Sequence, residues 1–313
     1  MISIGIDIGG TAIKGVLTDS DRGELARTQR PTLAAESRDA TITQLHACIE
    51  ELSAQSPMQV LAGIGLGVPG AIDHAQGLVL HPPNLPDWDA VPLVDILARR
   101  WSVTVRLEND ANCAALGERH YGAGKAHDHF VALTLGTGVG GGIIVNGRIY
   151  HGQRGFAGEF GHITLDPDGP VCNCGNRGCI EAYLGMQYLM REAIAVLRKD
   201  TGSVLHIPAT EDADHLTPKD LSEAAMRGDQ SCKNILHRAG LRLGIVIASV
   251  ANLLDITTFI IGGGIAGAGA PLFRGIEESA RTRVLKVHRD SLTILPAELG
   301  NDAGMLGAAS LLR

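Results

Sequence analysis

The chain has 313 residues, 45% of them apolar and 19% charged, which is enough for two medium-sized cores and too apolar for disorder. Its 27 basic and 34 acidic side chains leave a net charge of −7, so a nucleic-acid backbone is repelled on average. Apolar runs are broken by Gly or Asp before membrane-spanning length, which excludes a membrane anchor, and the absence of a basic or apolar leader predicts a cytoplasmic protein with no nucleic-acid partner.

In chain order, Ile4 to Ile8 reads as a buried strand, Gly9-Gly10-Thr11 as a turn and Ile13 to Leu17 as a second strand, a hairpin with a glycine tip. A helix follows with an apolar stripe at Ile42, Leu45, Ile49 and Leu52, then a strand at Leu61 to Val68 and a Pro-rich loop from His81 to Pro92. A short strand at Val103 to Leu107 delivers Glu108-Asn109-Asp110 to its end. Phe130 to Leu135 starts a second strand–turn–strand unit, in which residues 136 to 142 form a long glycine turn before Ile143 to Val145. Two such units predict a duplicated architecture. Beyond them lie a polar loop with cysteines (151 to 179), helices from about 180 to 198, from Thr217-Pro218 and from about 231 to 253, and a strand at Thr257 to Ile261 that runs into Gly262-Gly263-Gly264. The expected division is a smaller α/β lobe, 1–115, on which a C-terminal helix at about 300–313 packs back, and a larger α/β lobe, 116–313, carrying a zinc-binding loop at 162–181.

Three segments match G-x-G-x-x-G, at Gly65, Gly136 and Gly262, and none has the full context of a dinucleotide site. The first contains Pro69, the second runs into a strand, and the third lacks an acid at the end of the next strand. The hairpin tips carry more than glycine. Asp7, Thr11 and Lys14 flank the first turn, and Thr137 sits in the second, supplying an acid, hydroxyls and a cation around exposed backbone N–H groups suited to polyphosphate.

Cys172, Cys174 and Cys179 form C-x-C-x4-C in a Gly-rich segment, with His162 upstream. Three thiolates and one imidazole make a closed tetrahedral zinc set, structural because no position is left for water. Cys48, Cys113 and Cys232 sit on apolar helical patterns and read as core residues. Asp110, at the carboxyl end of a strand, is either a helix N-cap or an acid aimed at a ligand crevice. Glu159, His162 and Glu181 add polar groups around the cysteine loop of the kind that read sugars.

Ile6-Asp7-Ile8-Gly9-Gly10-Thr11, Gly67-Val68-Pro69-Gly70, Glu108-Asn109-Asp110-Ala111-Asn112, Leu135 to Gly142, Gly158-Glu159-Phe160-Gly161-His162, Cys172 to Glu181, Ile261-Gly262-Gly263-Gly264 and Asp302 to Ala309 together resemble the ROK family, which groups bacterial sugar kinases with related repressors. The resemblance implies a two-lobed, actin-like (sugar kinase/Hsp70-like) α/β ATPase fold with mixed sheets and an interlobe cleft, ATP with Mg2+, a structural Zn2+ and a homodimer. It assigns Asp7, Gly9, Gly10, Thr11 and Lys14 to the first phosphate loop, Thr137 and Gly138 to the second, and Gly263 and Gly264 to the adenosine. It makes Asp110 the general base, gives Gly70, Asn84, Asn109, Asp110, Glu159, His162 and Glu181 to the hexose, and makes His162, Cys172, Cys174 and Cys179 the zinc ligands.

The segments Asn84-Leu85-Pro86-Asp87-Trp88 and Thr164 to Pro170 look closest to the family's glucokinase branch, which implies transfer from ATP to the 6-hydroxyl of glucose. N-acetylglucosamine and N-acetylmannosamine kinases share nearly all of these motifs. A non-catalytic sugar-sensing member is the alternative of another class; family repressors carry a DNA-binding domain ahead of this module, and the first hairpin here already begins by residue 4.

Overall fold

The computed structural model of the chain describes residues 1–56, 60–210, 212–213 and 216–313. Its strands are β1 (Ile2–Ile8), β2 (Ala12–Asp19), β3 (Gly23–Pro31), β4 (Leu61–Val68), β5 (Ala71–Asp73), β6 (Leu78–Leu80), β7 (Thr104–Asn109), β8 (Phe130–Leu135), β9 (Val139–Val145), β10 (Arg148–Ile149), β11 (Thr258–Gly262) and β12 (Thr293–Pro296). One sheet has the order β3-β2-β1-β4-β7 and the other β10-β9-β8-β11-β12, while β5 and β6 make a small hairpin. The two five-stranded orders are the same pattern, in which the first three strands run outward in reverse and the last two add on the far side. This is a mixed α/β architecture built twice.

In the first sheet β1 pairs antiparallel with β2 and parallel with β4, and β4 pairs parallel with β7. The register sets Asp7 beside Gly67, Gly67 beside Glu108 and Val68 beside Asn109. Parallel pairing therefore brings the ends of three strands to one carboxyl edge, where α/β proteins build their sites.

The helices are α1 (Arg38–Ala54), α2 (Leu93–Trp101), α3 (Asp110–Tyr121), α4 (Glu181–Leu184), α5 (Met186–Leu197), α6 (Pro218–Met226), α7 (Gln230–Leu254), α8 (Ala270–Arg283), α9 (Lys286–Arg289) and α10 (Ala303–Ser310). Ser37 caps α1 by accepting from the Ala40 N–H, and Leu45, Ile49 and Leu52 of the expected stripe are buried together with Cys48, while Ile42 is half-buried. Each such aliphatic chain contributes about 1.5–3 kcal/mol by leaving water. Cys48, Cys113 and Cys232 are buried, as expected of core residues.

The last helix packs backbone to backbone. The carbonyl oxygens of Met305 and Ala308 in α10 lie where side chains on Gly5 of β1 and Gly65 of β4 would stand. Only glycine admits α10 this close to the sheet.

By compactness the chain divides into one unit of Met1–Asp128, Gly142–Gly158 and Asn301–Arg313, and another of His129–Gly141 and Glu159–Gly300. Residue 115, where the division was expected, lies within α3, and α10 belongs to the first unit. Among the described residues no helix is long and apolar enough to cross a membrane.

Two local expectations are corrected. The second glycine turn is shorter than 136–142, because β9 already starts at Val139 and takes Gly140, Gly141 and Gly142 into the sheet. The helix expected over 180–198 is broken at Gly185, whose ψ of 140° leaves helical space. Its successor's N–H explains why: Met186 donates to the carbonyls of Gly136 and Thr137, at 3.0 and 3.2 Å, tying the break to the second glycine turn.

Candidate active site

In the first unit the β1–β2 turn is held from both sides. The Gly9 N–H donates to the Ala12 carbonyl at 2.9 Å, the Thr32 hydroxyl donates to the Gly9 carbonyl at 2.6 Å, and the Thr32 N–H donates to the Thr11 carbonyl at 3.1 Å. Thr11 is left exposed at the tip. A side chain on Gly10 would lie 2.9 Å from Asn84 Cβ, so the turn and the Pro-rich loop are neighbours. Lys14 stands opposite Asp7 in the β1–β2 register and donates to the Asn301 carbonyl at 3.3 Å.

Asp7 is raised from 3.8 to about 6 by burial first, then by the negative charge of Asp110, against the attraction of Lys14. Two acids thus face one another electrostatically at the sheet's carboxyl edge. Asp110 is the first residue of α3, and the cap belongs to its neighbour: Asn109 Oδ1 accepts from the N–H groups of Ala111 (2.9 Å) and Asn112 (3.2 Å). Of the two readings of Asp110, the N-cap falls one residue earlier, to Asn109, with which β7 ends. Asn109 Nδ2 also donates to the Gly70 carbonyl at 3.1 Å, and Gly70 takes φ of 96°, a conformation that favours glycine. Asp7, Gly9, Gly10, Thr11, Lys14, Gly70, Asn84, Asn109 and Asp110 therefore share one region of this unit.

In the second unit the cysteine loop folds as a small knuckle. The Cys172 N–H donates to Asn176 and the Gly175 N–H donates back to Cys172, at 2.8 and 2.9 Å, with Gly175 and Gly178 at φ of 90° and 65°. Cys174 and Cys179 sulfurs lie 3.7 Å apart, and Cys172 Sγ lies 3.9 Å from His162 Nδ1. One donor atom from each of these four residues falls within 4.8 Å of all the others. A tetrahedron with metal–sulfur bonds of about 2.3 Å has edges of about 3.8 Å, so the donor set fits Zn2+. His162 Nδ1 faces the thiols while its Nε2 lies 3.8 Å from Glu159.

Glu181 links this knuckle to the second glycine turn. Its Oε2 accepts from the Val139 N–H at 3.0 Å, and its Oε1 lies 3.8 Å from Cys172 Sγ. Thr137 is exposed at the turn, and Gly138 packs against the Glu181 carboxylate. Gly263, with φ of 87°, presses its Cα against the Leu135 backbone and so joins the ends of β11 and β8 beside Gly264.

Sequence reading missed a group in the first unit: His74, Glu108 and His151. Burial works to raise Glu108, yet hydrogen bonds from His151 Nε2 (2.6 Å) and Asn112 Nδ2 (2.9 Å), with the charges of both imidazoles, hold it below its ordinary value. The same hydrogen bond raises His151 against the opposing effect of burial. No spacing pattern joins these three residues, and only the fold collects them.

The chain matches the ROK family over residues 3–313. It is 37% identical to a glucokinase of Thermotoga maritima over 99% of this chain and 96% of that protein, and 32% identical to a xylose repressor of Bacillus subtilis over 99% of this chain and 76% of that one. Among solved structures, a ROK family glucokinase from Streptomyces griseus in complex with glucose and AMPPNP superposes with a TM-score of 0.79 at 35% identity, covering 99% of both chains. With its paired mixed sheets, its cysteine knuckle and a match along almost its full length, this chain belongs to the ROK family.

Proposed function

We propose that the chain is an ATP-dependent hexose kinase that phosphorylates the 6-hydroxyl of glucose. The observation that carries this reading is Asp110, an acid at the mouth of β7 whose charge raises the proton affinity of Asp7, in a region lined by the glycine turn, Asn84, Asn109 and Gly70. Likeness to glucokinases over nearly the whole length supports glucose as the sugar.

In this reading Asn84, Asn109 and the Gly70 segment hold hexose hydroxyls, joined by Glu159, Glu181 and His162 Nε2. Asp110 accepts the proton of the sugar hydroxyl as its oxygen bonds to the γ-phosphorus, and the bond to the departing ADP oxygen breaks. Gly9, Gly10, Thr11 and Lys14, with Thr137 and Gly138, donate to phosphate oxygens, and Gly263 and Gly264 border the adenosine. Asp7 would hold the hydrated metal ion of the nucleotide, and Mg2+ would supply neutralisation of the charge on the transferring phosphoryl group. His162, Cys172, Cys174 and Cys179 would hold a structural Zn2+, which would fix the His162 ring. We include a cytoplasmic homodimer in the proposal.

Likeness to the xylose repressor supports a second reading, a sugar-binding module without catalysis. A coupled assay of ADP release against glucose, N-acetylglucosamine, N-acetylmannosamine and fructose separates the two. Sugar-dependent turnover highest with glucose is expected; sugar binding with no ADP release from any of them would sink the kinase reading.

A further inference from the structure

His74, Glu108 and His151 stand apart from the cysteine knuckle and from every role assigned above. Glu108 is almost wholly buried near the end of β7. Its Oε1 accepts from the Asn109 N–H and from Asn112 Nδ2, both at 2.9 Å, which fixes the plane of the carboxylate. Oε2 faces His151 Nε2 at 2.6 Å, and His74 Nε2 approaches the same carboxylate to 3.7 Å. The two imidazole rings meet edge to face with centroids 4.5 Å apart. One donor atom from each residue lies within 4.8 Å of the other two.

The three residues come from separate segments: His74 from the turn after β5, Glu108 from β7 and His151 from just beyond β10. Gly155, at φ of 92°, brings the chain after His151 over His74, where a side chain would come within 3.3 Å of the ring. Both imidazoles are partly exposed, at 32% and 40%, so the group is open to solvent on one side and anchored on a buried acid on the other.

Two imidazoles and a carboxylate suit Zn2+ and neighbouring transition metals rather than Mg2+ or Ca2+, which prefer oxygen. With bonds of about 2.05 Å a tetrahedral ion spaces its ligands by about 3.3 Å. The separations of His151 Nε2 from Glu108 Oε2, 2.6 Å, and of His74 Nε2 from Glu108 Oε1, 3.7 Å, lie on either side of that value. The two N–H donors on Oε1 supply the outer hydrogen bonds that orient a ligating carboxylate. Three protein ligands leave a fourth position for water, the mark of an exchangeable rather than a closed structural ion.

We propose that His74, Glu108 and His151 form a binding site for a divalent transition-metal ion, separate from the cysteine knuckle. Occupancy ties the β5 turn, the end of β7 and the segment after β10 to one another, one residue before Asn109 and two before Asp110. The site does not depend on the kinase reading, and its test uses no substrate.

The test is Co2+ titration of chelator-treated full-length protein, followed by absorbance and by direct metal analysis. The wild type should bind one equivalent more than His74→Ala, and the difference spectrum should show weak ligand-field bands without thiolate charge transfer. His151→Asn, which keeps an N–H donor for Glu108, should lose the same equivalent or weaken it at least tenfold. Cooperative melting of each metal-free variant establishes folding. Equal stoichiometry and equal affinity in all three proteins, or a difference spectrum dominated by thiolate charge transfer, would overturn the proposal.

Discussion

Asp7→Asn tests the electrostatics of the site directly. Burial and the charge of Asp110 lift the Asp7 carboxyl from 3.8 to about 6, with Lys14 opposing. A carboxyl whose proton is held more tightly in the native chain adds nothing below the unfolded value. It becomes a destabilisation as pH rises from 3.8 toward 6, because the folded state then binds more protons than the unfolded one. At about 1.4 kcal/mol per pH unit the displacement sets a ceiling near 3 kcal/mol, and the partial exposure of Asp7 brings the expectation to about 1–2 kcal/mol. The substitution should therefore stabilise the ligand-free protein at about pH 7.5 while abolishing turnover. Because amide and carboxyl differ in other ways as well, the readout is the change with pH: urea unfolding should show the advantage of the Asn variant growing by about 0.5–1 kcal/mol between about pH 5 and about pH 7.5. In an Asp110→Asn background that growth should shrink, since one cause of the lifted value is gone. A difference that stays flat across the window, or falls as pH rises, would refute the reasoning.

Three further substitutions probe separate parts. Asp110→Asn should lower kcat by about 10²–10⁴ while leaving glucose affinity nearly unchanged; turnover within tenfold of wild type would remove Asp110 as the base. Cys174→Ser should lose the bound zinc by metal analysis and weaken glucose binding through His162, and a metal-free variant with wild-type sugar affinity would break that link. Gly65→Ala drives a methyl group into the Ala308 carbonyl, so thermal unfolding should reveal a loss of about 3 kcal/mol or more; a melting temperature matching wild type would show that α10 can yield.

What the sequence disclosed was whatever is local. The glycine-tipped hairpins, α1, the helix start at Thr217-Pro218 and the cysteine motif all write their geometry within a few residues, and the structure has the same elements. β3 was overlooked because it lies at the edge of its sheet: its residues are exposed or half-buried and several are charged, so no apolar alternation marks it. β5 and β6 are three residues each, too short for any period. The break at Gly185 depends on carbonyls some fifty residues earlier, a tertiary cause that helical periodicity does not register. The same holds at the site. Asp7, Asn109, Asp110 and the thiols announced themselves by motif, whereas His74 and His151 reach Glu108 only through strand register and loop closure.

The energetics of Asp7 bear on whether this member of the family acts as a kinase or only binds sugar. A sensor needs hydroxyl contacts, which polar side chains such as Asn84 and Asn109 can offer. It has no use for a second acid beside Asp110, and the repulsion between the two is a standing cost to the folded state. That cost has a purpose only if a cation enters with the ligand and favours the ionised form of Asp7. The consequence is a linkage: nucleotide affinity in the presence of Mg2+ should rise as pH increases through about 6 and level off above it, while glucose affinity measured alone should not follow that curve. Isothermal titration across that range reads both. Parallel curves for sugar and nucleotide would mean that Asp7 belongs to the sugar, and the argument for phosphoryl transfer from this pair would fail.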